Sequence, residues 1–116
     1  MKCLQINARS IINKKEELEA VAYEKQPDLI LITETWAKDK HSIGEVNLKG
    51  YDSHRKDRRN TERGGGCIIY AKSELKTVML EDLTKTEDTD TVWCKYEDIK
   101  IGVCYKRNCI LYIFFV

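Results

Sequence analysis

Residues 27–36, "PDLILITETW", decide the fold. Four apolar residues, Leu29 to Ile32, run without a break. A run of this kind fits a strand buried on both faces, which usually means a sheet with parallel pairing. Glu34 then stands between two threonines, and Trp36 follows. An ionisable group directly at the end of a buried strand needs a physical reason.

Upstream, "KCLQIN" (2–7) reads as a short strand ending in Asn7. Residues 13–26, "NKKEELEAVAYEKQ", read as a helix. Asn13 with Glu16 three residues on is a capping-box pattern, with acidic residues in the first turn. Leu18, Val21 and Ala22 form an apolar stripe at helical spacing, and Lys25 marks its end. Pro27 stops the helix, because it lacks an N–H and clashes with the preceding turn.

A strand–helix–strand unit has a geometric consequence. If both strands join one sheet, the crossover makes them parallel. Their carboxyl ends then lie on one edge, about 5 Å apart if they are neighbours. Asn7 ends the first strand and Glu34 the second, so an amide and a carboxylate come together at the edge where open α/β sheets bind ligands.

Downstream, "AKDKHSIGEVNLKG" (37–50) reads as a polar connection and "YDSHR" (51–55) as a short strand. "KDRRNTERGGG" (56–66) reads as a basic loop and "CIIYAK" (67–72) as a strand. "KTVML" (76–80) suggests another strand before a polar, acidic loop at 81–90. "TVWCKYE" and "IKIGVCYK" read as two strands joined by a tight turn at Glu97–Asp98, on their β-branched and aromatic content. Repeats, low-complexity segments and linkers are absent from the sequence.

Bulk composition bounds the rest. The chain has 116 residues, enough for one ordinary domain, with 42% hydrophobic and 34% charged residues, a globular balance. The net charge of +1 names no partner, so a nucleic-acid reading must rest on local clustering. The N-terminus lacks the apolar core and cleavage site of a signal peptide, and "ILYIFFV" (110–116) is too short to span a bilayer. Five cysteines without a CxxC pair read as buried thiols in a reducing compartment. The expected location is therefore intracellular, nuclear or cytoplasmic, not secreted and not membrane-bound. Neither His41 nor His54 has zinc-ligand spacing to a cysteine.

Several residues could carry chemistry. Glu34 reads either as a capped or salt-bridged strand-end carboxylate or as a magnesium ligand, since magnesium takes hard oxygen donors, few carboxylates and several waters. Asn7 reads either as a turn residue or as a donor to phosphate or to a nucleophilic water. The loop "RKDRRNTER" (55–63) sets Arg55, Lys56, Arg58, Arg59 and Arg63 against Asp57 and Glu62. It is either a solvated loop or a phosphate contact, for which the guanidinium fork is suited. Gly64 to Gly66 lack the Lys-Ser/Thr of a phosphate-binding loop and lead into a strand, so backbone freedom at a strand entry is the stronger reading. Tyr105 ends the last clear strand, either as an amphipathic strand-end residue or as a donor to phosphate. Trp36 and Trp93 read as packing residues.

"LQINARSI" (4–11), "PDLILITETW" (27–36), "GYDSHRKDR" (50–58), "RGGGCIIYAK" (63–72) and "IKIGVCYK" (99–106), in this order, resemble the endonuclease/exonuclease/phosphatase superfamily. The nearest likeness is to the endonuclease domain of non-LTR retrotransposons, over nearly the whole chain to about Arg107. The resemblance implies an α/β fold, specifically the N-terminal half of a four-layer α/β sandwich with a mixed sheet and one clear β-α-β unit. It implies Glu34 as the divalent-metal glutamate, Asn7 as an organiser of the site and Tyr105 as a tyrosine near the scissile phosphate. The implied cofactor is Mg2+ or Mn2+, the implied partner is DNA, and the implied reaction is phosphodiester hydrolysis by water.

The departures from the family pattern are specific. The Asp-x-Asn motif that positions the water occurs nowhere in the chain, and neither does the closing Asp-His pair. His41 and His54 stand in the wrong part of the order to replace it. After Tyr105 the chain reads "KRNC" where members usually carry Arg-Pro-Pro. The expectation is a family half-domain at 1–107 followed by an apolar tail, 108–116, that reads as unrelated sequence. Such a half is expected to be inactive alone and to leave a sheet face uncovered. Two other functions stay open: a non-catalytic remnant that binds nucleic acid through the basic loop, and a phosphatase of the same superfamily. Oligomeric state is not legible.

Overall fold

The computed structural model describes residues 1–37, 46–57, 65–84, 90–105 and 112–115, with backbone alone at 90, 104, 105 and 112–115. The elements are β1 (Cys3–Asn7), α1 (Lys15–Lys25), β2 (Leu29–Thr33), β3 (Tyr51–Lys56) and β4 (Cys67–Lys72). A 3-10 turn (Ser73–Leu75) leads to β5 (Val78–Met79), α2 (Glu81–Thr84), β6 (Asp90–Tyr96), β7 (Ile99–Tyr105) and β8 (Tyr112–Phe115).

Two sheets form. The first has the order β1-β2-β4-β3 and the second β5-β6-β7-β8. β1 and β2 pair in parallel, with Asn7 opposite Thr33, and β4 runs antiparallel to both β2 and β3. The first sheet is therefore mixed, with one parallel β-α-β unit. All pairing in the second sheet is antiparallel.

Alternation along β2 and β4 builds two cores. Leu29, Leu31, Cys67, Ile69 and Ala71 face Val92, Cys94, Ile101 and Val103 between the sheets. Ile30, Ile32, Ile68 and Tyr70 point the other way and pack with Leu18 and Ala22 of α1 and with Val46, Leu48 and Tyr51. β2 is buried along its whole length, as a continuous apolar run requires. Burial pushes the Cys94 thiol up to about 11, so it stays protonated at neutral pH.

Some local expectations are corrected. The capping box at Asn13 does not form: the helix starts at Lys15 with Lys14 as N-cap and no side-chain cap. Lys14 Nζ instead donates to Ala8 O at 2.6 Å, tying the helix start to the loop after β1. The far end behaves as read: Gln26, in the left-handed region at φ 48, donates its N–H to Ala22 O just before Pro27. The polar-looking segment 37–50 buries Ala37, Val46 and Leu48, and the Tyr70 hydroxyl donates to Val46 O. The loop expected at 81–90 begins with the helical turn α2, whose Thr84 hydroxyl accepts from Trp93 N.

The inner faces of the two sheets cover each other. The outward face of the second sheet carries Thr91, Trp93, Lys95, Lys100 and Gly102 among the described side chains, with both lysines exposed. Trp93 is a packing residue as read: its ring lies flat on Gly102, where a Cβ would fall 2.5 Å from the indole. Within 108–116, residues Tyr112–Phe115 extend the second sheet by pairing with β7. No helix among the described residues is long and apolar enough to cross a membrane.

Candidate active site

The β-α-β unit brings the ends of β1 and β2 together. Asn7 pairs with Thr33, and Glu34 is the next residue along β2. Asn7 is exposed and Glu34 half-buried. The entry to β4 lies at the same edge, because Cys67 pairs with Thr33 from the other side.

Backbone hydrogen bonds continue past the strand ends and clamp Glu34. On one side Ala8 N donates to Thr33 O (3.0 Å), Ser10 N to Glu34 O (2.8 Å) and Ile11 N to Thr35 O (3.0 Å). On the other, Thr35 N donates to Gly66 O (3.3 Å) and Trp36 N to Gly65 O (2.8 Å). The glycines permit this approach. Gly65 and Gly66 have φ of 71 and 87, and a Cβ on Gly66 would overlap Thr35 Oγ1. The glycine run thus serves as strand-entry freedom and as the wall of the site, with Gly64 outside the described residues.

Glu34 and Trp36 themselves sit at positive φ, 57 and 55, around a fully buried Thr35. For non-glycine residues this geometry costs about 1–3 kcal/mol each and persists where surroundings over-determine it. The ladder on both flanks supplies that constraint. Its result is that two side chains, two residues apart, turn to the same side. Trp36 Nε1 donates to Glu34 Oε2 at 2.7 Å. Trp36 is 42% exposed, so the expectation of a packing residue there is corrected. No strand-type spacing signals this, because Glu34 and Trp36 lie at positive φ and not in extended backbone.

Tyr105 closes β7 opposite Asp90, and its side chain is outside the described residues. Arg58, Arg59 and Arg63, like His41, also lie outside them. Arg55 is half-buried near the end of β3 and donates through Nη2 to Asp57 Oδ2 at 2.9 Å. His54, on β3, shares a 2.8 Å hydrogen bond with Thr77 Oγ1, and burial lowers its pKa from the ordinary 6.5, with Asp52 opposing.

Glu34 is the donor that could hold a cation. No cluster of three or more His, Cys, Asp or Glu side chains converges among the described residues. A lone carboxylate with a carboxamide at the adjacent strand end is a hard-oxygen set. It fits an ion that keeps most of its waters and takes its remaining ligands from phosphate, as magnesium does, and not a fully protein-caged ion.

A concavity of about 560 Å3 lies at the end of the first sheet opposite Glu34. Ala22 and Tyr23 of α1, Leu48, Tyr51 and Lys72 line it. β2 separates it from Glu34 by about 17 Å of extended chain. The Tyr51 hydroxyl donates to Pro27 O at 2.6 Å, tying β3 to the start of β2 there.

Residues 4–110 match the Endonuclease/Exonuclease/phosphatase family. A search of curated proteins finds no match.

Proposed function

Because the chain belongs to the endonuclease/exonuclease/phosphatase family, we propose that it carries the metal-holding edge of an endonuclease-type phosphodiester hydrolase acting on DNA, of the non-LTR retrotransposon kind. The observation that carries this reading is the pairing of the β1 and β2 ends, which sets Asn7 beside Glu34. The family generally depends on a divalent metal and typically acts on nucleic acid or related substrates.

In this reading Glu34 holds Mg2+ or Mn2+ through its carboxylate. When bound, such an ion stabilises the charge that develops on a phosphate attacked by water. Asn7 donates its carboxamide N–H to a phosphate oxygen or to the water. Tyr105 donates a hydrogen bond from its hydroxyl to phosphate, and Arg55, Arg58, Arg59 and Arg63 draw the backbone in. A preorganised donor set acts well here because the clamp around Glu34 leaves little to reorganise. The chain contains no Asp-x-Asn to position the water, so it is expected to bind metal without turning over alone.

Nicking of supercoiled plasmid with Mg2+ tests this. The chain alone should not nick. Fused to a C-terminal half that supplies Asp-x-Asn and Asp-His, it should nick with Mg2+ and lose that activity on Glu34→Ala. A silent fusion would sink the endonuclease assignment. Metal-dependent nicking by the chain alone, lost on Glu34→Ala, would overturn the claim of inactivity.

A further inference from the structure

Trp36 is a costly residue to leave on a surface. The residue is 42% exposed, so burial does not account for it. Its backbone is held at φ 55 next to a buried Thr35, with Trp36 N fastened to Gly65 O at 2.8 Å. The side chain so presented makes one polar contact, Nε1 to Glu34 Oε2 at 2.7 Å. Among the described residues no other group donates to that carboxylate.

We propose that Trp36 is a positioning residue for Glu34: its indole N–H fixes one carboxylate oxygen and leaves the other for a divalent cation. This rests on Glu34 being the metal ligand. The donor's chemistry supports it. An indole N–H is neutral and donates only. It orders the carboxylate without cancelling its charge, whereas a lysine or arginine in the same place would form an ion pair and compete with the cation. Hydrogen-bonded partners behind a metal ligand typically change metal affinity by about 10- to 100-fold when removed. Here the ligand is half-exposed, so the lower end applies.

The test is Mn2+ binding to the full chain, read by the loss of the free-ion electron paramagnetic resonance signal, with Mg2+ as competitor. Four proteins are compared: wild type, Glu34→Gln, Trp36→Phe and Trp36→Gln. Phenylalanine keeps a ring and removes the donor; glutamine removes the ring and keeps an N–H. Wild type should bind and Glu34→Gln should not. Trp36→Phe should bind about tenfold more weakly, and Trp36→Gln should recover most of the wild-type affinity. Trp36→Phe matching wild type while Glu34→Gln fails would overturn the positioning role and leave the metal site intact. Equal losses in Trp36→Phe and Trp36→Gln would assign the effect to the ring and also overturn it. Wild type and Glu34→Gln behaving alike would sink the metal site itself. Circular dichroism and urea midpoints check that each variant is folded.

Discussion

Replacing Gly66 by alanine tests the physical link between the glycine run and the site. Gly66 has φ 87, a region that costs an L-residue about 1–2 kcal/mol. The new methyl would also overlap Thr35 Oγ1, and Thr35 is fully buried. Overpacking of this kind adds about 1–3 kcal/mol. The combined destabilisation is about 2–5 kcal/mol, a large part of the roughly 5–15 kcal/mol available to a domain. The assay is urea unfolding. With a slope of about 1.5 kcal/mol per molar, the midpoint should fall by about 1–3 M without a change in slope. The two causes separate in a double-mutant cycle. Thr35→Ala removes the overlapping hydroxyl at the expense of a long 3.4 Å hydrogen bond from Ala37 N. In its background, Gly66→Ala should cost only the backbone strain, about 1–2 kcal/mol. A Gly66→Ala midpoint within error of wild type, or no relief from Thr35→Ala, would refute the claim that glycine is there to let β4 approach the Glu34 segment.

His54 should make the fold acid-sensitive. Its pKa is lowered in the folded state by burial, so on acidification the unfolded chain, titrating near 6.5, takes up the proton first. Stability should be flat in this respect above that pH and decline as pH falls below it. His54→Gln, which can keep a hydrogen bond to Thr77, should show a shallower decline in urea midpoint between pH 7 and 5; parallel pH profiles would contradict this. Tyr70→Phe should cost about 1–3 kcal/mol in the same assay, because it leaves Val46 O buried without its donor. Any nucleic-acid binding should weaken steeply with salt, and neutralising Arg58, Arg59 and Arg63 together should flatten that dependence.

The β-α-β unit was legible because each signal in it is local. An unbroken apolar run, a proline after a periodic segment and two polar strand ends need no knowledge of distant residues. The adjacency of Asn7 and Glu34 followed from those signals and from the geometry of crossovers. Tertiary features were not legible in the same way. Strand β4 inserts between β2 and β3, an order that no pattern within a strand encodes. Val46 and Leu48 are buried inside a polar stretch because Ile68 and Tyr70, some 20 residues later, supply the surface they pack on. The capping box at Asn13 did not form because the helix begins one residue later than the pattern requires, with Lys14 as N-cap and Lys14 N turned back to Ile11 O. Trp36 was misread for a related reason. Aromatic residues beside buried strands are usually core, and only the positive φ at Glu34 and Trp36 turns this one outward.

The most direct test of the site is paramagnetic broadening of backbone amide signals by substoichiometric Mn2+ in the full chain. The ion should bleach the amides of residues 7–10 and 34–36, leave those of β5 and the Tyr23 cleft sharp, and lose this pattern in Glu34→Gln. Broadening centred elsewhere, such as the acidic turns at Glu81–Asp82 or Glu97–Asp98, or a pattern that survives Glu34→Gln, would contradict the account.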